Sequence, residues 1–158
     1  MTFLYRGEVA TQSDYGNSPF NYSTTYYLLE GGLKVGAVTV KVGWELLGSD
    51  NRQGFKTPLA TLHKFNGFAD LFLATPGTGL QDLYVSMAGS PIPDLTLAAF
   101  YHKFTTGGGS TDYGSEIDLV ASYKIDKRFT AIAKYASYDS AGYAIDTDRL
   151  TFELTFSY

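Results

Sequence analysis

Eight stretches of strict alternation, each about ten residues long, constrain this chain more than any other feature. They lie at 2–11, 24–35, 38–47, 80–88, 95–104, 115–125, 128–138 and 148–158. A period of two sends successive side chains to opposite faces of a strand, and helical periodicity is nearly absent. In 38–46 one face is Val38, Val40, Val42, Trp44 and Leu46, and the other is Thr39, Lys41, Gly43 and Glu45. In 115–125 Ile117, Leu119, Ala121, Tyr123 and Ile125 oppose Glu116, Asp118, Ser122 and Lys124. The final segment keeps its apolar face, Leu150, Phe152, Leu154, Phe156 and Tyr158, to the last residue. A terminus in water usually frays, whereas a strand that spans lipid needs its apolar face throughout. Ten residues is also about the length of a tilted membrane-spanning strand, against about five or six in a soluble sheet.

The connections between these segments alternate as well. Short links fall at Gly36-Ala37, at 89–94 and at 126–127, and long ones at 12–23, 48–79, 105–114 and 139–147. In an up-and-down meander every second connection lies at the same end, so all the long ones share one rim. Short turns on one rim and long loops on the other is the pattern of an outer-membrane barrel, with the C-terminus on the short-turn, periplasmic side.

A soluble sandwich would also alternate, but two features oppose it. The polar faces mix small residues (Gly43, Ala98, Ala136, Ser122) with both signs of charge, as a curved lumen wall does. The apolar faces place aromatics toward the strand ends, Trp44, Tyr101 and Tyr135 toward one rim and Phe129, Tyr123 and Tyr158 toward the other, as membrane girdles do. The expected fold is therefore all-β: one domain, 1–158, forming an antiparallel up-and-down transmembrane β-barrel of about eight strands. Either 2–11 pairs with 148–158 in a closed small barrel, or the chain is half of a larger porin barrel. An eight-stranded barrel is filled by its own side chains, whereas a larger one leaves an aqueous channel.

Composition removes several function classes. Zero Cys excludes disulfides, thiolate metal sites and cysteine nucleophiles. The net charge of −4, with Lys and Arg scattered singly, leaves no footprint for nucleic acid. No apolar run approaches the ~18 residues of a transmembrane helix, and "MTFLYRGEVATQS" has no signal-peptide pattern. His63 and His102 are the only imidazoles, no Gly-x-Ser-x-Gly elbow occurs, and a lone His102 at a strand end is expected to be solvated. No enzyme activity and no cofactor are expected, and the acidic loops "GSDN" and "STDYGSE" lack EF-hand spacing for a metal.

Two groups of residues are candidates for a site. The inward charges Arg6, Lys34, Lys41, Lys124 and Lys134 mix with Glu8, Glu30, Glu45, Glu116, Asp118 and Glu153. A mixed lumen predicts weak ion selectivity, and the competing reading is structural ion pairing between strands. Loop 48–79 is far longer than a hairpin needs, and its Phe55, Leu59, Leu62, Phe65, Phe68, Leu71, Phe72 and Leu73 argue against disorder. It is expected either to fold into the mouth, with Arg52, Lys56, His63, Lys64 and Asp70 setting charge preference, or to cap the rim, with a short helix near 67–73.

The segments "VTVKVGWELLGSDN", "GFKTPLATLHKFNGFADLFLATPGTGLQDLYV", "DYGSEIDLVASY" and "KYASYDS" closely resemble the carboxy-terminal half of alginate-export-type outer-membrane porins of Gram-negative bacteria. The resemblance covers essentially the whole chain. It implies a bacterial outer-membrane channel for passive diffusion of small hydrophilic solutes, sugars or acidic oligosaccharides among them. It also implies a barrel of about sixteen or more strands, with residue 1 falling mid-barrel. The alternative is a closed eight-stranded structural or adhesion barrel without a conducting pore. The implied partners are outer-membrane lipid and lipopolysaccharide, the diffusing solutes, and the barrel-assembly machinery, which reads a terminal aromatic such as Tyr158. A homo-oligomer fits the class, but no interface is legible.

Overall fold

The computed structural model describes residues 1–58 and 66–158. Its strands are β1 (Thr2–Ser13), β2 (Ser23–Val35), β3 (Val38–Leu47), β4 (Ser49–Asp50), β5 (Gln53–Gly54), β6 (Leu80–Ile92), β7 (Leu95–Thr105), β8 (Asp112–Lys124), β9 (Phe129–Ser140) and β10 (Thr147–Phe156). Eight of them form one sheet in the order β1-β2-β3-β6-β7-β8-β9-β10, every neighbouring pair antiparallel. The expected up-and-down meander is thus present, with no helix among the described residues. The two-residue strands β4 and β5 form a separate small hairpin inside the long loop.

The sheet is not closed. Among the described residues β1 pairs only with β2 and β10 only with β9, so the expectation of a small barrel sealed by a 2–11 to 148–158 seam is corrected. Eight strands curve far enough to make a concave face, and among the described residues no strand pairs with the outer edges of β1 and β10.

Strand ends differ from the sequence-based bounds where polar residues continue the ladder. β6 runs on through Gly89 to Ile92 past a register irregularity, which leaves only Pro93 and Asp94 as the turn before β7. Asp94 takes the left-handed conformation there, with φ 65°, a role its short polar side chain tolerates.

Alternation sorts the two faces as the sequence demands. The convex face exposes Phe3, Tyr5, Val40, Val42, Leu83, Val85, Ile117, Leu119, Leu150 and Phe152, with Tyr5 94% and Phe152 75% accessible. The core lies on the other side. Leu47, Leu80, Phe104, Tyr113 and Tyr138 of the concave face pack against Phe68, Ala69 and Phe72 of the long loop. The expected helix near 67–73 is absent; bends and turns occupy that stretch. Asn66, Gly67 and Asp70 all have positive φ (52°, 84° and 60°), which no helix accommodates.

Candidate functional site

Register fixes where the inward charges stand. Arg6 faces Glu30 across β1–β2, Lys41 faces Gly32 and Ser86, Glu45 faces Asp82, Glu116 faces His102 and Tyr138, and Lys134 faces Thr151. All eleven predicted lumen residues fall on the concave face. Ion pairing with neighbours accounts for several of them. Lys41 Nζ is 3.0 Å from Glu30 Oε1, Lys134 Nζ 2.6 Å from Glu153 Oε1, and Arg6 Nη2 2.5 Å from Glu8 Oε1. Lys34 and Lys124 stand exposed toward the short-turn rim.

The long loop and this face meet through a carboxylate. Glu116 Oε1 accepts the backbone N–H of Phe68 at 2.6 Å and of Ala69 at 2.7 Å. Successive amides converging on one acidic oxygen form an anion nest, here made by the loop around a side chain of the wall. The approach is so close that a Cβ on Gly67 would fall 2.5–2.7 Å from the Glu116 carboxylate atoms. Glycine, at φ +84°, is therefore required there twice over, for its backbone and for its missing side chain.

Other contacts fasten the loop around that point. Asn66 Nδ2 donates to Glu45 Oε2 at 2.7 Å and more weakly to Asp82 Oδ2 at 3.4 Å. Arg149 on β10 donates through Nη1 to Asp70 Oδ2. Phe72 inserts its ring among Phe104, Tyr113, Tyr138 and Tyr143, with centroids 4.5–6.2 Å away. Tyr143 comes from the connection between β9 and β10, and burial, with Tyr113 beside it, pushes its phenol above the ordinary range.

The predicted loop set does not act together. Asp70 reaches the concave face, but Arg52 is exposed beside the β4–β5 turn with φ 62°. Lys56 lies at the rim, where its backbone exchanges hydrogen bonds with the Gln12 side chain and its Nζ sits 5.1 Å from the Tyr22 ring centre. His63 and Lys64, with Leu59, Leu62 and Phe65, lie outside the described residues.

His102 corrects the sequence reading. It is not solvated at a rim but 6% exposed on the concave side of β7. Its Nδ1 lies 2.9–3.0 Å from the Asp82 carboxylate oxygens and its Nε2 3.6 Å from Asp118 Oδ2. Asp82 and the buried role of His102 are not among the sequence-based candidates, because their burial depends on the loop that covers β6 and β7 rather than on strand parity. One signal was available: Phe100, Phe104 and Tyr138 fall on the polar parity of β7 and β9. Apolar rings on the polar face of a strand announce that something covers them.

Toward the short-turn side of the docked loop, the face opens into a recess of about 300 Å³. Arg6, Tyr26, Glu30, Lys41, Tyr84 and Phe100 are among its walls. It pairs both charge signs with aromatic surface, and Ser86, His102 and Asp82 line it as well. Among the described residues no group of three or more His, Asp or Glu side chains is arranged to hold a metal ion. No protein-family model, curated protein or solved structure matches this chain.

Proposed function

We propose that the chain forms wall and constriction of a porin-like channel in the outer membrane of a Gram-negative bacterium, through which small hydrophilic solutes diffuse passively. The observation that carries this reading is the placement of residues 66–72. They lie on the polar, concave face of the sheet while its convex face stays apolar and exposed. A long rim loop drawn onto the inner wall narrows whatever passes along that wall. A convex face of Leu, Val, Ile and aromatic side chains suits acyl chains of phospholipid and lipopolysaccharide.

The bare edges of β1 and β10 support a larger barrel. In hydrocarbon, unpaired backbone groups cost several kcal/mol each, so further strands must meet both edges, and the barrel exceeds eight strands. A barrel of that size has an interior wider than its side chains fill. The closed, non-conducting alternative needs a β1–β10 seam that the sheet lacks. The solutes are small polar molecules, sugars or acidic oligosaccharides in keeping with the resemblance, and the recess beside Arg6 and Lys41 offers aromatic and charged contacts of that kind.

Single-channel recording in planar bilayers tests the reading. Folded protein should give stable steps that grow with salt, and deletion of residues 66–72 should enlarge them. Silence from a folded, heat-modifiable preparation rejects it.

A further inference from the structure

The recess beside the docked loop is lined by carboxylates that already hold partners. Glu30 Oε1 accepts Lys41 Nζ at 3.0 Å, and its Oε2 accepts the Tyr84 hydroxyl at 2.8 Å. Glu45 takes the Tyr26 hydroxyl on Oε1 at 2.6 Å and Asn66 Nδ2 on Oε2 at 2.7 Å. Both oxygens of Asp82 lie 2.9–3.0 Å from His102 Nδ1, and the other ring nitrogen faces Asp118 rather than the recess floor. Each of these three carboxylates thus has both oxygens engaged by the protein itself.

Two kinds of surface remain for a ligand. The first is hydrogen-bond donors. An ammonium carries three N–H groups and a guanidinium five; among the described residues Lys41 directs one to Glu30, and Arg6 meets Glu8 through Nε and Nη2. Ser86, two positions along β6 from Tyr84 and so on the same face, adds a hydroxyl. The second is aromatic. Tyr84 and Phe100 are diagonal neighbours across β6–β7, and Phe68 closes in from the loop, its ring centre 5.4 Å from that of Phe100. A charged ligand suits neither kind. A carboxylate meets Glu30 and Glu45, an ammonium meets Lys41 and Arg6, and like charges side by side are costly. An uncharged ring edged with hydroxyls avoids both conflicts. Its oxygens accept from Lys41 and Arg6, its O–H groups donate to remaining lone pairs of Glu30, and its C–H face lies on the aromatic rings.

We propose that this recess is a subsite for an uncharged sugar, one pyranose ring packed against Tyr84, Phe100 and Phe68. Its volume of about 300 Å³ lies at the small end of ligand pockets and suits a single ring rather than a chain. The docked loop is part of the site. Asn66 and Phe68 line the recess, and the Phe68 amide is one of the two fastened to Glu116. Narrowing and recognition therefore fall at the same level of the wall. The subsite selects the neutral members of the solute class proposed above, and its use in transport rests on that reading. Binding itself needs no flow.

Saturation-transfer NMR on the full chain folded in detergent micelles reads binding directly, with glucose, glucuronate and glucosamine as probes. The three present the same ring with no charge, a negative charge and a positive one. Glucose should bind at least about tenfold tighter than either charged ring. Equal or tighter binding of glucuronate or glucosamine overturns the proposal without needing any variant to fold, and so does the lack of saturable glucose binding. Ser86→Leu fills the recess and should weaken glucose binding at least about tenfold. Thr151→Leu, on the same face of β10 and three strands from β7, should leave it unchanged. Unchanged binding in Ser86→Leu, or equal loss in both variants, overturns the subsite. Glucose binding by protein that is silent in planar bilayers supports the subsite and rejects the channel. Conductance without glucose binding overturns the subsite and keeps the channel.

Discussion

Tyr84 on β6 lays its ring directly over Gly43 on β3 and donates its hydroxyl to Glu30 Oε2 on β2 at 2.8 Å. One side chain thus bridges three strands because the strand between carries no Cβ. A side chain at 43 overlaps the ring, so Gly43→Leu should displace it, break the Glu30 bond and cost about 1–3 kcal/mol by overpacking. Tyr84→Phe, which keeps the ring, should cost only about 1 kcal/mol. Urea unfolding followed through Trp44, the sole tryptophan, checks both. In Tyr84→Ala the penalty at 43 should shrink, a coupling that a double-mutant cycle measures.

Phe72 holds the loop through rings rather than charge, and its truncation should separate loop from sheet. Its four aromatic partners belong to β7, β8, β9 and the β9–β10 connection, which pair with their strand neighbours whether or not the loop is present. Phe72→Ala removes a large buried ring, worth about 3–5 kcal/mol where a core must absorb the cavity. Here the expected outcome is local: residues 66–79 become open to protease while heat-modifiable migration of the folded sheet persists. Loss of the folded band would instead show that the loop is integral to the sheet's stability.

The strands were readable and the docking was not, for one physical reason. A period of two is a local property, so Val38 to Leu46 or Ile117 to Ile125 declare their faces from sequence alone. Closure and loop placement are set by contacts between distant residues. Nothing near Gly67 in the chain points to Glu116, 49 positions away, and nothing in the eight alternations says whether β1 reaches β10. The ion pairs show the same division. Lys134 and Glu153 follow from parity and adjacent strands, whereas Arg149 with Asp70 requires knowing where the loop turns back.

The Arg149–Asp70 bond should contribute modestly to docking. The Arg149 side chain is 38% exposed, so water screens the pair even though Asp70 is 6% exposed. After that discount Arg149→Ala should weaken docking by about 1 kcal/mol. Salt provides the clearer signature. Proteolysis of the loop should speed up with ionic strength in the parent protein and change less in Arg149→Ala, because screening acts on the pair only where it exists.

The assignment of faces makes the last prediction, and it concerns the membrane itself. Leu119 points outward from β8 and is 48% exposed, while Ser122, three residues on, points to the concave side. If the convex face meets lipid, Leu119→Arg places a charge in hydrocarbon at a cost of roughly 2–4 kcal/mol near the midplane. Ser122→Arg places the same charge beside Lys124 on the polar side and should leave insertion intact. Refolding each variant into vesicles and scoring the heat-modifiable fraction compares them directly. A convex face that met water would accept both substitutions alike, and that equality would remove the lipid-facing assignment from Leu119 and from the outward residues that share its parity.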